Sequence, residues 1–259
     1  MIAIMLMNWV YILLLMILAW IIFLKIQNPG IVDAFWPISI LISGAHYVMH
    51  SNLSTHTVIQ ILLLFIWALR LSLYLFATRI IPNIIEKRYE SVISNDMKNK
   101  KLHFFIHFQF QGILAMIIAI PFYFLDNSKI NSILFFLLSF FILMGIICES
   151  ISDIQLQNFR KENPGMVCNI GFWKFSRHPN YFFEWVIWMC FALASFNVSS
   201  GWLSLISPFL LLVLMLKFTI PITESASIKS KKDAYLSYQN KTPVFLPIHF
   251  GKKKSEDNE

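Results

Sequence analysis

Residues 171–184 read Gly171-Phe172-Trp173-Lys174-Phe175-Ser176-Arg177-His178-Pro179-Asn180-Tyr181-Phe182-Phe183-Glu184. Pro179 disfavours helix at His178 and suits a first helical turn, so a helix is expected to start there. The unpaired N–H groups of that start, with Arg177 and His178 beside them, form a natural phosphate site. Counted from Arg177, Asn180, Tyr181, Glu184 and Trp188 follow at +3, +4, +7 and +11. This spacing lays a polar and aromatic stripe along an otherwise apolar helix. A Pro-capped helix whose arginine meets lipid phosphates would explain Arg177, but not an acid one turn deeper. A second stretch puts Glu149, Asp153 and Arg160 at i, i+4 and i+11, again on one face. Carboxylates and amides suit ribose hydroxyls and a carboxamide, and arginine suits phosphate. A helix leaving a membrane, its acids paired with lysines among headgroups, fits the second stretch as well.

Other chemistries find less support. His46/His50 and His103/His107 sit at i, i+4, a spacing that can hold a metal. The two pairs fall on opposite sides of the expected membrane, and interfacial histidines account for them, so no metal is assigned. Three cysteines without a CxxC exclude a disulfide framework and a cysteine zinc site. The eight glycines contain no GxG, which excludes a Rossmann fingerprint and a P-loop.

The elements that position these residues must be membrane helices. Of 259 residues, 57% are hydrophobic and only 14% charged, against roughly 25% charged in a soluble domain. Mean hydropathy is +0.64. Seven apolar runs, 2–23, 31–49, 58–80, 104–125, 133–151, 181–196 and 202–220, approach the length of about 17–25 residues that spans a hydrocarbon core. The first lacks the basic start and cleavage site of a signal peptide and is expected to remain as a helix. The formal charge of +7 reads as a topology signal, not as a nucleic-acid surface. Arg79, Lys87, Arg88, Lys98, Lys100 and Lys101 cluster in one connection, and Arg160, Lys161, Lys174 and Arg177 in another. Seven lysines follow residue 221, whereas the intervening loops carry almost none. By the positive-inside rule the N-terminus lies outside and the C-terminus in the cytoplasm. The expected fold is an all-α, polytopic transmembrane helix bundle of about seven spans. Residues 1–251 form one integral membrane domain and 252–259 a charged, disordered tail.

The run Ser176-Arg177-His178-Pro179-Asn180-Tyr181, with Glu184 and Trp188, resembles the signature of the steroid 5α-reductase superfamily. It resembles more closely that family's bacterial domain-of-unknown-function branch, similar to the C-terminal region of 3-oxo-5-alpha-steroid 4-dehydrogenases. Matches continue along the chain: Asp33-x-x-Trp36, Trp67-Ala-Leu-Arg70-Leu, Tyr74, Arg79, Arg88-Tyr89, Glu149-x-x-x-Asp153-x-Gln155-Leu-x-x-Phe159, Gly171-x-Trp173, Glu224 and Tyr235-x-x-Tyr238-x-x-x-Thr242-x-x-Phe245-x-Pro247. They cover about 33–247 in order. The resemblance implies a membrane reductase of lipid metabolism, set in a bacterial inner membrane, with NADPH in a cavity open to the cytoplasm. Its substrate would be a hydrophobic small molecule or lipid carrying an activated double bond. Cofactor contacts carried over by position are Arg70, Asp153, Arg160, Arg177, His178, Asn180, Tyr181, Glu184 and Tyr238.

Two positions depart from the family. Trp67 stands where the steroid enzymes have the tyrosine that polarises a substrate carbonyl, and an indole N–H donates only one hydrogen bond. Asp33 is the nearest acid for the partner glutamate, so Trp67, Asp33 and Tyr74 are the catalytic candidates. Phe183 stands where the family has glycine and narrows the space beside the cofactor. The same Arg-His-Pro-x-Tyr run, with Glu224 and Tyr235/Tyr238, also resembles membrane methyltransferases acting on isoprenylcysteine carboxylates or phospholipid amines, which bind S-adenosylmethionine. A non-enzymatic transporter or scaffold is the remaining alternative. It would need inward acids but no Arg-His-Pro-Asn-Tyr start.

Overall fold

The computed structural model describes residues 2–51, 54–86, 89, 100–125, 131–196 and 198–245. Lys87, Arg88, Lys98, Lys129, Pro247 and the 252–259 tail lie outside the described residues. The main helices are α1 (Ile2–Ile26), α2 (Ile31–Met49), α3 (Thr55–Leu75), α4 (Lys100–Ile118), α5 (Ser132–Glu162), α6 (Pro179–Ala194), α7 (Ile206–Leu214) and α8 (Ile220–Lys241). No strand occurs among the described residues. Six helical stretches there are long and apolar enough to cross a membrane: Ile2–Ile26, Ile31–Met49, Thr55–Ile80, Lys100–Ile118, Ser132–Glu162 and Gly201–Lys241. The chain is an all-α, polytopic integral membrane protein.

The sixth expected run, 181–196, falls short. It forms α6, of 16 residues, about 24 Å long at 1.5 Å per residue against a core of about 30 Å. Pro179 opens it as the spacing predicts. It closes at Ala194, after which Ser195 Oγ donates to the carbonyls of Pro121 and Phe191.

The chain divides into two compact units, 1–144 with 185–214 and 145–184 with 215–259. In the first, α1 buries Asn8, Ile12, Met16, Ala19 and Phe23. Steps of three and four put these on one stripe, and the rest of the helix is apolar surface suited to lipid. Small residues let the helices close in. A Cβ on Gly112 of α4 would come 2.9 Å from Ile12 and 3.0 Å from Met16, and one on Gly44 of α2 would meet Leu64 of α3 at 2.6 Å. Phe23 packs on Phe104 and Phe108. Ser54 caps α3 by accepting from the Thr57 N–H at 3.2 Å, satisfying one of the donors a helix start leaves open.

α3 ends in a π-helical turn, Phe76–Ile80, that brings Arg79 to the start of α2. Asn28 there donates through Nδ2 to the Arg79 carbonyl and to Asn83 Oδ1, while its own Oδ1 accepts from the Gly30 N–H. The Arg79 guanidinium contacts Asp33 at 3.2 Å and Glu86 at 2.7 Å, and the Tyr89 hydroxyl donates to Asp33 at 3.2 Å. The knot ties the two helix ends and the chain after them.

Candidate functional site

In the first unit, Trp67 is fully buried. Its ring meets Trp36 edge-on at 6.4 Å and Trp188 at 5.1 Å. One turn beyond Trp67 the Arg70 guanidinium lies 5.6 Å from the Tyr74 ring centre, a cation–π contact that holds the pair together on α3. Asp33, by contrast, is engaged in the knot with Arg79 and Tyr89. The catalytic candidates Trp67 and Tyr74 therefore share α3, while Asp33 lies at the start of α2, tied to the Arg79 turn.

The second unit gathers most of the candidate cofactor contacts. Its first wall is the part of α5 beyond Met144. Glu149, Ser152 and Asp153 are buried there, whereas Arg160 in the last turn is exposed. Facing this wall is the 171–184 stretch, shaped by a glycine and pinned by three hydrogen bonds. Gly171 adopts φ +53, a conformation that favours glycine, and a Cβ there would displace the Gln155 amide. The Phe172 N–H donates to Gln155 Oε1 at 3.0 Å, and the Trp173 indole N–H to the Ser152 carbonyl at 2.8 Å. Asn180, in the first turn of α6, donates through Nδ2 to Asp153 Oδ1 at 3.1 Å.

A carboxylate only accepts, so the amide must turn its N–H2 toward Asp153 and its oxygen away. That oxygen, Asn180 Oδ1, is buried and has no hydrogen-bond partner among the described residues. Glu184 follows one turn later and is buried as well.

The C-terminal part of α8 and the chain after it form the second wall. Tyr238 donates its hydroxyl to the carbonyls of Trp173 and Ser176. Ser176 Oγ donates to the Phe245 carbonyl at 2.9 Å, and the Arg177 N–H to the Pro243 carbonyl at 2.9 Å. His178 stacks flat on Tyr181, ring centres 5.3 Å apart.

Arg177, placed at phosphate by its position in the sequence, is committed within the protein. Nε and Nη2 reach the two oxygens of Glu224 at 2.7 and 3.3 Å, and Nη1 donates to the carbonyls of Gln239 and Thr242 at 3.0 and 2.8 Å. Four of the five guanidinium N–H groups are thereby used. Glu224 also lies 3.1 Å from His178 Nε2 and accepts from Gln239 Nε2 at 2.7 Å. These bonds form a clamp that fastens α8 to the start of α6. Tyr238, expected at the cofactor, likewise holds two carbonyls of the 171–184 stretch.

Glu224 and Gln239 carry the clamp; the sequence pattern named Glu224 among the family matches without a structural role, and Gln239 not at all. The available signal was an acid just beyond an apolar run, whose partners sit 47 and 15 residues away in sequence. Burial pushes the Cys168 thiol, in the connection before Gly171, up from its ordinary pKa, which argues against a thiolate nucleophile there. His46 Nε2 and His50 Nδ1 lie within hydrogen-bond distance of the Ile4 and His46 carbonyls. No cluster of three or more metal-ligating side chains occurs among the described residues.

A family model described as "Protein of unknown function (DUF1295)" matches residues 19–242. No curated protein and no solved structure matches the chain.

Proposed function

The chain belongs to the DUF1295 family of unknown function, and from that premise we propose that it is a membrane-embedded, NADPH-dependent reductase resembling the steroid 5α-reductase superfamily. One observation carries the reading. The half-buried Asn180 amide is fixed by Asp153, with its buried oxygen left as an orphan acceptor. Leaving such a group unmade costs about 1–3 kcal/mol, and an N–H2 donor such as a carboxamide or an aminopurine would recover that cost. When bound, NADPH supplies a hydride to an electrophilic carbon of a hydrophobic substrate with an activated double bond.

The chain's own residues divide the remaining work. Asn180, Asp153 and Glu184 meet the polar hydroxyl and amide groups of the dinucleotide, and exposed Arg160 meets phosphate. Arg177, His178, Tyr181 and Tyr238 hold the start of α6 in place for them. Within the first unit, Arg70 is a proposed cofactor contact and Tyr74 a proposed catalytic residue. Trp67 is the proposed donor toward developing negative charge on the substrate, with Asp33 as the acid on that side. The cofactor cavity opens to the cytoplasm, the C-terminus lies on that side, and the N-terminus lies outside a bacterial inner membrane.

S-Adenosylmethionine is the second reading, favoured by the three buried carboxylates of Glu149, Asp153 and Glu184, which suit a cationic ligand. Titration of the purified protein with NADPH, NADH and S-adenosylmethionine separates the two. The reductase reading expects NADPH to bind and Asn180→Ala to weaken it by about 5- to 150-fold, the equivalent of about 1–3 kcal/mol. Binding of S-adenosylmethionine alone would replace this reading with a methyltransferase. Binding of neither would leave the transporter or scaffold.

A further inference from the structure

We propose that Phe172 and Phe183 form an aromatic platform on which a flat heteroaromatic ring bearing an exocyclic N–H2 stacks, with that N–H2 donating to Asn180 Oδ1. This subsite rests on the dinucleotide reading and names the part of the ligand it takes.

Phe183 lies three residues beyond Asn180 on α6, a spacing that makes the two neighbours on one helix face. Its ring meets Phe172 edge-to-face, centres 5.1 Å apart at 67°. In such a pair the ring that presents its edge keeps both faces clear of the other, and the second keeps its far face clear. Both residues are half-buried, whereas Phe175 in the same stretch is 59% exposed in the manner of a lipid-facing side chain. The backbone at Phe172 is anchored by its N–H bond to Gln155 at 3.0 Å. Phe182 contacts Phe183 at 5.4 Å and packs against Phe245 at 5.8 Å. The ring pair is thus packed from neighbouring residues, on the helix face that carries an acceptor lacking a donor. Stacking needs a π-face and the orphan oxygen needs an N–H. Nicotinamide, through its carboxamide, and adenine, through its amino group, supply both.

The test titrates wild type, Phe183→Leu and Phe183→Trp with NADPH, nicotinamide mononucleotide, adenosine 2′,5′-bisphosphate and S-adenosylmethionine. Leucine keeps the apolar bulk and removes the π-face. Phe183→Leu is expected to weaken NADPH by about 5- to 150-fold, the range for losing one base–aromatic stack, and Phe183→Trp to retain most of the affinity. The fragment that loses affinity in parallel identifies which ring occupies the platform. If wild type binds NADPH and Phe183→Leu binds it equally, the platform is wrong and the reductase reading stands. If wild type binds only S-adenosylmethionine and Phe183→Leu weakens that, the platform stands under adenine and the reductase reading falls. Binding of none of the four ligands overturns both. Matching circular dichroism and melting temperature in the variants separates a lost subsite from a lost fold.

Discussion

Replacing Glu224 by glutamine tests the clamp between α8 and the start of α6 without changing its shape. The carboxylate faces donors on both oxygens: Arg177 Nε at 2.7 Å and His178 Nε2 at 3.1 Å on one, Arg177 Nη2 at 3.3 Å and Gln239 Nε2 at 2.7 Å on the other. A glutamine keeps one oxygen and turns an N–H2 toward one Arg177 donor, so that bond is lost whichever way it is oriented, and the second Arg177 bond loses its charged acceptor. Each bond to a charged group is worth about 1.5–3 kcal/mol. The two side chains are only 13% and 12% exposed, so water repairs little, and we expect the lower end of the sum, about 3 kcal/mol. At roughly 2–4 °C per kcal/mol for a chain approaching this size, Glu224→Gln should melt about 6–12 °C below wild type. The measurement is a thermal melt of detergent-solubilised protein at matched scan rates. Glu162→Gln, at the exposed end of α5, serves as control and should shift stability by less than about 0.5 kcal/mol. If Glu224→Gln melts with the control, the clamp contributes nothing and Arg177 is free to serve a ligand.

Gly171→Ala should lower the melting temperature and, through Gln155 and Phe172, disturb the 171–184 stretch, because the new Cβ meets Gln155 at 2.3 Å at a φ of +53; a melt equal to wild type would refute the preference for glycine. Reporters fused before residue 1 and after residue 259 should report the outside and the cytoplasm respectively. Both on one side would mean that the 16-residue α6 does not act as a full crossing.

Much of the architecture was legible in local patterns. The long apolar runs became helices because backbone groups in a bilayer must be satisfied within the segment, which leaves a helix as the default. The start of α6 was legible at Pro179 for an equally local reason, its fixed φ and missing N–H. Glu149 and Asp153 stood out because an acid beside an apolar run is costly unless something receives it. Arg177 shows the limit. Its type and position suit a phosphate, yet a carboxylate 47 residues later takes its fork, and no spacing rule encodes that meeting.

By itself the sequence determined class, helix content and the polar residues that need an explanation, since hydrophobic transfer and backbone satisfaction act on each segment separately. Tertiary structure alone decided which donor faces which acceptor: Asn180 on Asp153, Tyr238 on the Trp173 carbonyl, Trp67 against Trp188. It also decided what a side chain at Gly171 would meet, the Gln155 amide on another helix. Such pairings depend on how helices cross and rotate, which close packing of whole surfaces sets and no single segment specifies.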